Sequence, residues 1–290
     1  MNDDIIKLFN KFKFKFMKCY PCYMTNYFYK KQHGGAKLPN IIEISYEKSH
    51  YKFIKESSDD GEDMYMLYDD RNMYACIMIL IDVKQKGAVI ENINGDYQGC
   101  PNGSKILKIA IEFIKQNKNI LNVDKIILTD TASKNCYGKK IVFGDMYTLL
   151  YGITWYTKHG FRPYDSTIQR TDMERVKIIN NNKLIMTDTK ISDIKNLRKY
   201  LDEFYNSLPD KPIIYKNRSD IEQSSKKTFN YKKLKNYIKE RPNSKLFGFI
   251  QTLLKIYNID SCSFFNSYYK KIMSDIKLTS LRGYTFFMRI

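Results

Sequence analysis

The sequence predicts a mixed α+β domain over residues 1–175, built on a mostly antiparallel sheet flanked by helices, and a smaller, mainly helical domain over 176–290. Three observations predict this. Short apolar or alternating runs, separated by turn residues, fill residues 41–93, as in hairpin-connected strands. The run Ala88–Ile93 then enters a glycine-containing loop, Gln98-Gly99-Cys100-Pro101-Asn102-Gly103, that opens an amphipathic helical stretch. Finally, the charge changes: residues 1–175 hold 26 Lys and Arg against 21 Asp and Glu, a net of +5, whereas residues 176–290 hold 23 against 10, a net of +13.

Taken in order, Ile5, Phe9, Phe12 and Phe16 recur at helical steps across Asp3–Tyr20, with Asp3 and Asp4 near the positive end of that helix. The Lys–Phe alternation of Lys11–Phe16 also fits an edge strand. Gly34-Gly35 and Pro39 mark a loop. Strands follow over Ile41–Tyr46, Tyr51–Ile54 and Met64–Tyr68, the last two flanking a hairpin turn with Asp60-Gly61 at its core. Met73–Val83 is apolar nearly throughout and reads as a central buried strand, and Ala88–Ile93 is the next.

Past the glycine loop, Ile106, Leu107, Ile109, Ala110, Phe113 and Ile114 form one helical stripe. Val123–Leu128 reads as a short buried strand, Thr129–Phe143 as a polar loop and Met146–Lys158 as a helix stopped by Gly160, with His159 capping its last turn. Phe161–Tyr164 starts a further strand. Beyond 176, Ile191–Leu208 is helical by the register of Leu197, Leu201, Phe204 and Leu208. Residues 209–229 read as a polar linker; Tyr231–Lys239, Ser244–Tyr257 and Ser263–Ile276 as helices; Tyr284–Ile290 as a strand or extended arm.

No run of 18 apolar residues occurs, so no membrane span is predicted, and the lysine-interrupted N-terminus does not read as a secretory signal. The expectation is an intracellular chain with reduced thiols. Cys19 and Cys22 have a metal-like spacing but no second pair, and His33, His50 and His159 stand alone, so no metal is expected. The formal charge of +18 favours anionic partners, and the excess in 176–290 places a nucleic acid or another anionic macromolecule there; a lysine-rich coding style gives the same charge with no partner.

A turn that presents successive backbone N–H groups at a helix N-terminus suits a pyrophosphate. In the order strand, such a turn, helix, strand, helix and Gly-Phe, the chain resembles the GNAT superfamily of acetyl-CoA-dependent N-acetyltransferases. The resemblance rests on Tyr97-Gln98-Gly99-Cys100-Pro101-Asn102-Gly103-Ser104, against the family's Gln/Arg-x-x-Gly-x-Gly/Ala, and on Trp155-Tyr156-Thr157-Lys158-His159-Gly160-Phe161, against its aromatic-Tyr-x-x-x-Gly-Phe ending. It covers roughly residues 70–165. Pro101 stands where the family has its first glycine and offers no N–H. In style the chain resembles certain giant-virus members, which places it in host cytoplasm or a virus particle.

The resemblance implies acetyl-CoA as co-substrate and acetyl transfer to a protein or small-molecule amine by direct attack in a ternary complex. It implies Tyr156 as the acid that protonates the CoA sulfur, a phenol suited to a thiolate leaving group. Glu91, which alternation places on one strand face with Val89 and Ile93, and Asp130, at the end of the next strand, are the candidate bases. Gln98, Gly99, Cys100, Asn102, Gly103 and Ser104 are expected at the phosphates, and the backbone at Ile93 and Asn94 along the pantetheine arm. The Cys100 thiol, at a helix N-terminus, lacks the histidine a nucleophile needs. Two other readings stand beside the enzyme: an inactive scaffold or virion protein of the same fold, and nucleic-acid binding by the basic half.

Overall fold

The computed structural model describes residues 38–57, 63–69, 73–95, 99–136, 139–211, 213–216, 221–226, 229–255 and 259–290. The Asp3–Tyr20 helix, the Gly34-Gly35 loop, Cys19 and Cys22, the Asp60-Gly61 turn and Gln98 lie outside the described residues. The fold is a mixed α+β one with mostly antiparallel strand pairing, and no helix among the described residues is long and apolar enough to cross a membrane. Packing divides the chain into two units: one holds the residues to Leu128 together with Phe287–Ile290, the other Thr129–Phe286. The boundary expected at 175/176 lies inside a helix, Met173–Asp188.

In the first unit, β1 (Ile41–Tyr46), β2 (Ser49–Ser57), β3 (Asp63–Tyr68), β4 (Ala75–Asp82) and β5 (Gly87–Ile93) form an antiparallel meander. Glu47 and Lys48, both at positive φ (48° and 65°), make the two-residue turn between β1 and β2, the backbone twist tight hairpins prefer. Helix α1 (Gly103–Leu121) crosses back so that β6 (Lys125–Thr129) runs parallel to β5. The buried stripe of α1 covers the sheet; Phe113 stacks on Phe53 with ring centroids 3.9 Å apart and meets Tyr65 at 5.4 Å. Asn122, in the left-handed region at φ 52°, ends the helix and donates its N–H to the Lys118 carbonyl. The last residue of the chain is tied in by the Ile290 N–H, which donates to Asp124 O at 3.1 Å.

The second unit opens with a hairpin, β7 (Ser133–Cys136) and β8 (Lys139–Val142), where the sequence predicted a polar loop; backbone pairing organises a stretch with no apolar alternation to reveal it. The helix expected over 146–158 is two, α2 (Phe143–Tyr151) and α3 (Trp155–Lys158). The break is Gly152, at φ 69°, where a β-carbon would stand 2.4 Å from Lys183 Cα. Next come β9 (Arg162–Asp165), β10 (Arg170–Thr171) and α4 (Met173–Asp188), a helix the sequence analysis did not identify, capped by the Asp172 side chain, which accepts from Arg175 N–H at 3.0 Å.

A 3₁₀ turn at Ile191–Asp193 leads into α5 (Leu197–Ser207). The expected linker contains a second hairpin, β11 (Ile213–Lys216) with β12 (Ile221–Ser224). Helices α6 (Tyr231–Glu240), α7 (Leu246–Lys255) and α8 (Ile259–Asp275) follow, and the chain ends on β13 (Thr285–Arg289). Phe204, Phe229, Phe264 and Tyr268 form an aromatic core, with Phe204 meeting Phe229 edge-on at 5.0 Å and Phe264 at 5.5 Å.

Candidate functional site

In the first unit the expected phosphate turn is a well-made helix start. Asn102 is the N-cap of α1; its side chain accepts from Lys105 N–H at 3.0 Å. Pro101 therefore stands outside the helix, and its missing N–H takes nothing from the donors of the first turn. Those at Gly103 and Ser104 have no acceptor among the described residues, and no acidic side chain occupies that turn. Among the described residues no acid offsets the positive end of α1, which suits a phosphate oxygen. Gly95 packs across this start so closely that a β-carbon on it would lie 2.3 Å from Gly103 N. Only glycine allows that approach.

The turn is also covalently anchored. Cys100 is bonded to Cys76 of β4, a fully buried residue, across a separation of 24 positions. Cys262 of α8 stands in a disulfide as well. The expectation of reduced thiols is corrected at these positions, and the Cys100 sulfur is committed to a structural bond. The same β4 residues hold the end of β5: Asn94 donates its backbone N–H to Cys76 O and its side-chain amide to Ala75 O, both at 2.8 Å. That N–H faces β4, so it is not available to a pantetheine arm.

Sheet pairing changes character at this place. β5 pairs with β6 only from Gly87 to Ile90, while β5 itself continues to Ile93. Opposite β4, Ile90 pairs with Ile79 and Asn92 with Met78, so Glu91 is the extra residue of a bulge. The alternation that grouped Glu91 with Val89 and Ile93 is interrupted there: Glu91 and Asn92 are both exposed, and Ile93 is half-buried.

In the second unit the structure brings together Asp130 and Tyr156. Asp130 follows β6 and is 1 % exposed. Its N–H donates to Tyr284 O at 2.9 Å, and its carbonyl accepts from Gly283 N–H at 2.7 Å. Its Oδ2 has no hydrogen-bond partner and lies against the α-carbon of Gly144, where a β-carbon would be 2.6 Å away. Burial, and then the charge of Asp145, push the Asp130 carboxyl up to about 7, with Ala132 and Arg282 holding it down.

Tyr156, in α3, is buried among Trp155, Phe161 and Phe286. Burial first, and Asp130 second, raise its hydroxyl far above an ordinary phenol, so it stays protonated. His159 caps α3 as expected, its N–H donating to Tyr156 O at 2.9 Å and its ring edge-on to Trp155.

Sequence reasoning missed the residues that set this environment. Asp145, in the first turn of α2, is buried and accepts a hydrogen bond from the Ser280 hydroxyl. Arg282 comes from the same C-terminal stretch, as do the backbone partners of Asp130. The one available signal was Asp145 near a helix start, hidden because the helix was expected to begin at 146. No family model, curated protein or solved structure matches this chain.

Proposed function

We propose that this chain is an acetyl-CoA-dependent N-acetyltransferase acting on a protein or small-molecule amine. The observation that carries the proposal is the pairing of Asp130 with Tyr156. Two residues selected from separate motifs share one buried environment, one titrating near neutrality and the other held protonated. Acetyl-CoA supplies the acyl thioester, whose carbon a neutral amine attacks. Toward it, this chain offers the amides of Gly103 and Ser104 for a phosphate and, for an extended arm, the part of β5 past Ile90, where its pairing with β6 has ended and that with β4 continues. The Tyr156 hydroxyl is the proton source this reading assigns to the departing thiolate; burial keeps it protonated and also makes it a weaker acid than a free phenol. Asp130, half-ionised near pH 7, is suited to take one, and the exposed Glu91 is the second carboxylate for that task.

A second reading is favoured by a specific observation. Asp130 Oδ2 is packed against Gly144, which suits an inactive scaffold of the same design as well as a base. Titration with acetyl-CoA separates the two. At about 100-fold excess over its dissociation constant the ligand stabilises the native chain by about 2.7 kcal/mol. The expected result is a rise in melting temperature that desulfo-CoA reproduces and free acetate does not. No rise at saturating acetyl-CoA leaves the scaffold.

A further inference from the structure

Unit two carries 29 Lys and Arg against 15 Asp and Glu. The excess is densest between Lys226 and Lys245, with eight cationic residues and one carboxylate, Glu240. Three of those cations are paired from elsewhere: Lys226 with Asp210 at 2.9 Å, Lys235 with Asp202 at 3.4 Å and Lys245 with Asp188 at 3.8 Å. Lys232, Lys233, Lys239 and Arg241 are exposed and have no carboxylate partner among the described residues. All four belong to α6 or its C-cap, where Leu234 is fully buried and anchors the opposite side.

This arrangement costs stability locally. Lys232 and Lys233 stand in the first turn of α6, where the helix dipole disfavours cations; no first-turn acid offsets them, and the N-cap Asn230 makes no side-chain bond. A helix selected for stability alone places acids there. We propose that the exposed face of α6, where Lys232, Lys233, Asn236, Lys239 and Arg241 outnumber the single carboxylate of Glu240, binds the phosphate backbone of nucleic acid without reading its sequence. The inference is independent of acetyl transfer.

The chemistry of the face selects this partner. A membrane-surface helix inserts an apolar face into the headgroups, but the apolar side of α6 is spent on the protein core. A protein interface centres on aromatic or aliphatic anchors in a desolvated patch, and the exposed positions of α6 are Lys, Lys, Asn, Lys and Glu. A phosphodiester chain asks only for cations and amide donors, and its counterion release drives the association.

The test is fluorescence anisotropy of the full chain with a labelled duplex oligonucleotide of random sequence. Four phosphate contacts give a log–log salt slope of about −3.6, so affinity falls about 100-fold between about 50 and 200 mM salt. K232E/K233E/K239E is expected to weaken binding at least tenfold at low salt and to flatten the slope by about three. K232Q/K233Q/K239Q keeps good helix formers and is expected to flatten it likewise. K108E/K115E/K118E, the same charge change on the exposed side of α1, is expected to leave both unchanged. The inference is overturned if the chain fails to bind at low salt, if the α6 variants bind as well as the wild type, if the α1 variant loses as much, or if phosphatidylserine vesicles capture the chain and the duplex does not.

Discussion

Oδ2 of Asp130 lies 2.6 Å from the point a β-carbon on residue 144 would occupy. The carboxyl is buried and the neighbour is a helix backbone, so neither has room to give. Gly144→Ala is expected to destabilise the chain by about 1–3 kcal/mol, the cost of overpacking a filled site, even though alanine is the better helix former. Chemical denaturation of the two proteins side by side checks this, and equal midpoints contradict it.

The raised pKa of Asp130 makes stability depend on pH with a definite sign. Its value is about 7 in the folded chain against 3.8 for an ordinary aspartate, so between these limits the native state holds a proton that the unfolded state releases. The stabilising contribution is therefore complete below about pH 4, declines as pH rises and is lost above about pH 7. Its size is on the order of 4 kcal/mol. Asp130→Asn is expected to remove this dependence: denaturation midpoints of the variant change less between pH 4 and 7 than those of the wild type.

Tyr156→Phe removes one hydroxyl and keeps the ring that meets Phe161 and Phe286. If the hydroxyl delivers the proton, turnover with acetyl-CoA falls by about 10²- to 10⁴-fold while the melting temperature changes little. Turnover at the wild-type rate removes Tyr156 from that role.

Reduction of the Cys76–Cys100 bond releases a closed segment of 24 positions in the unfolded chain. The loss is about 3 kcal/mol on the chain-entropy account. Cys76→Ser/Cys100→Ser is expected to lower the melting temperature and to reduce the further drop that dithiothreitol causes.

Asn102→Ala takes away the side-chain acceptor of Lys105 N–H at the first turn of α1. About 1 kcal/mol of stability goes with it. Asn102→Asp keeps the acceptor and brings a negative charge to the helix start, so it is expected to preserve stability and to lower affinity for any phosphate ligand, an outcome read by acetyl-CoA titration.

The first unit was legible wherever burial imposes a period. β1, with Ile42 and Ile44 inward, matched its expected limits at both ends, and the stripe of α1 from Ile106 to Ile114 is the face that covers the sheet. β7 and β8 read Ser-Lys-Asn-Cys and Lys-Lys-Ile-Val, with no alternation of apolar and polar residues to mark the hairpin that their backbones form. α4 escaped notice because its apolar residues spread around the helix: Met173 and Leu184 are exposed, while Ile179, Asn182 and Met186 are buried. In the candidate site, Asp130 and Tyr156 were legible from their place after a strand and before a Gly-Phe. Asp145 and Ser280 were not, since a hydrogen bond across 135 positions leaves no local pattern.

The hydrogen bonds that clasp the main chain of Asp130 come from Gly283 and Tyr284, about 150 positions further along the chain. On the ribosome, a nascent chain that has not yet reached them carries Asp130 with neither its N–H nor its carbonyl joined to that later stretch. A chain cut anywhere before residue 283 therefore lacks both clasps on the main chain of Asp130, however complete the strand that precedes it.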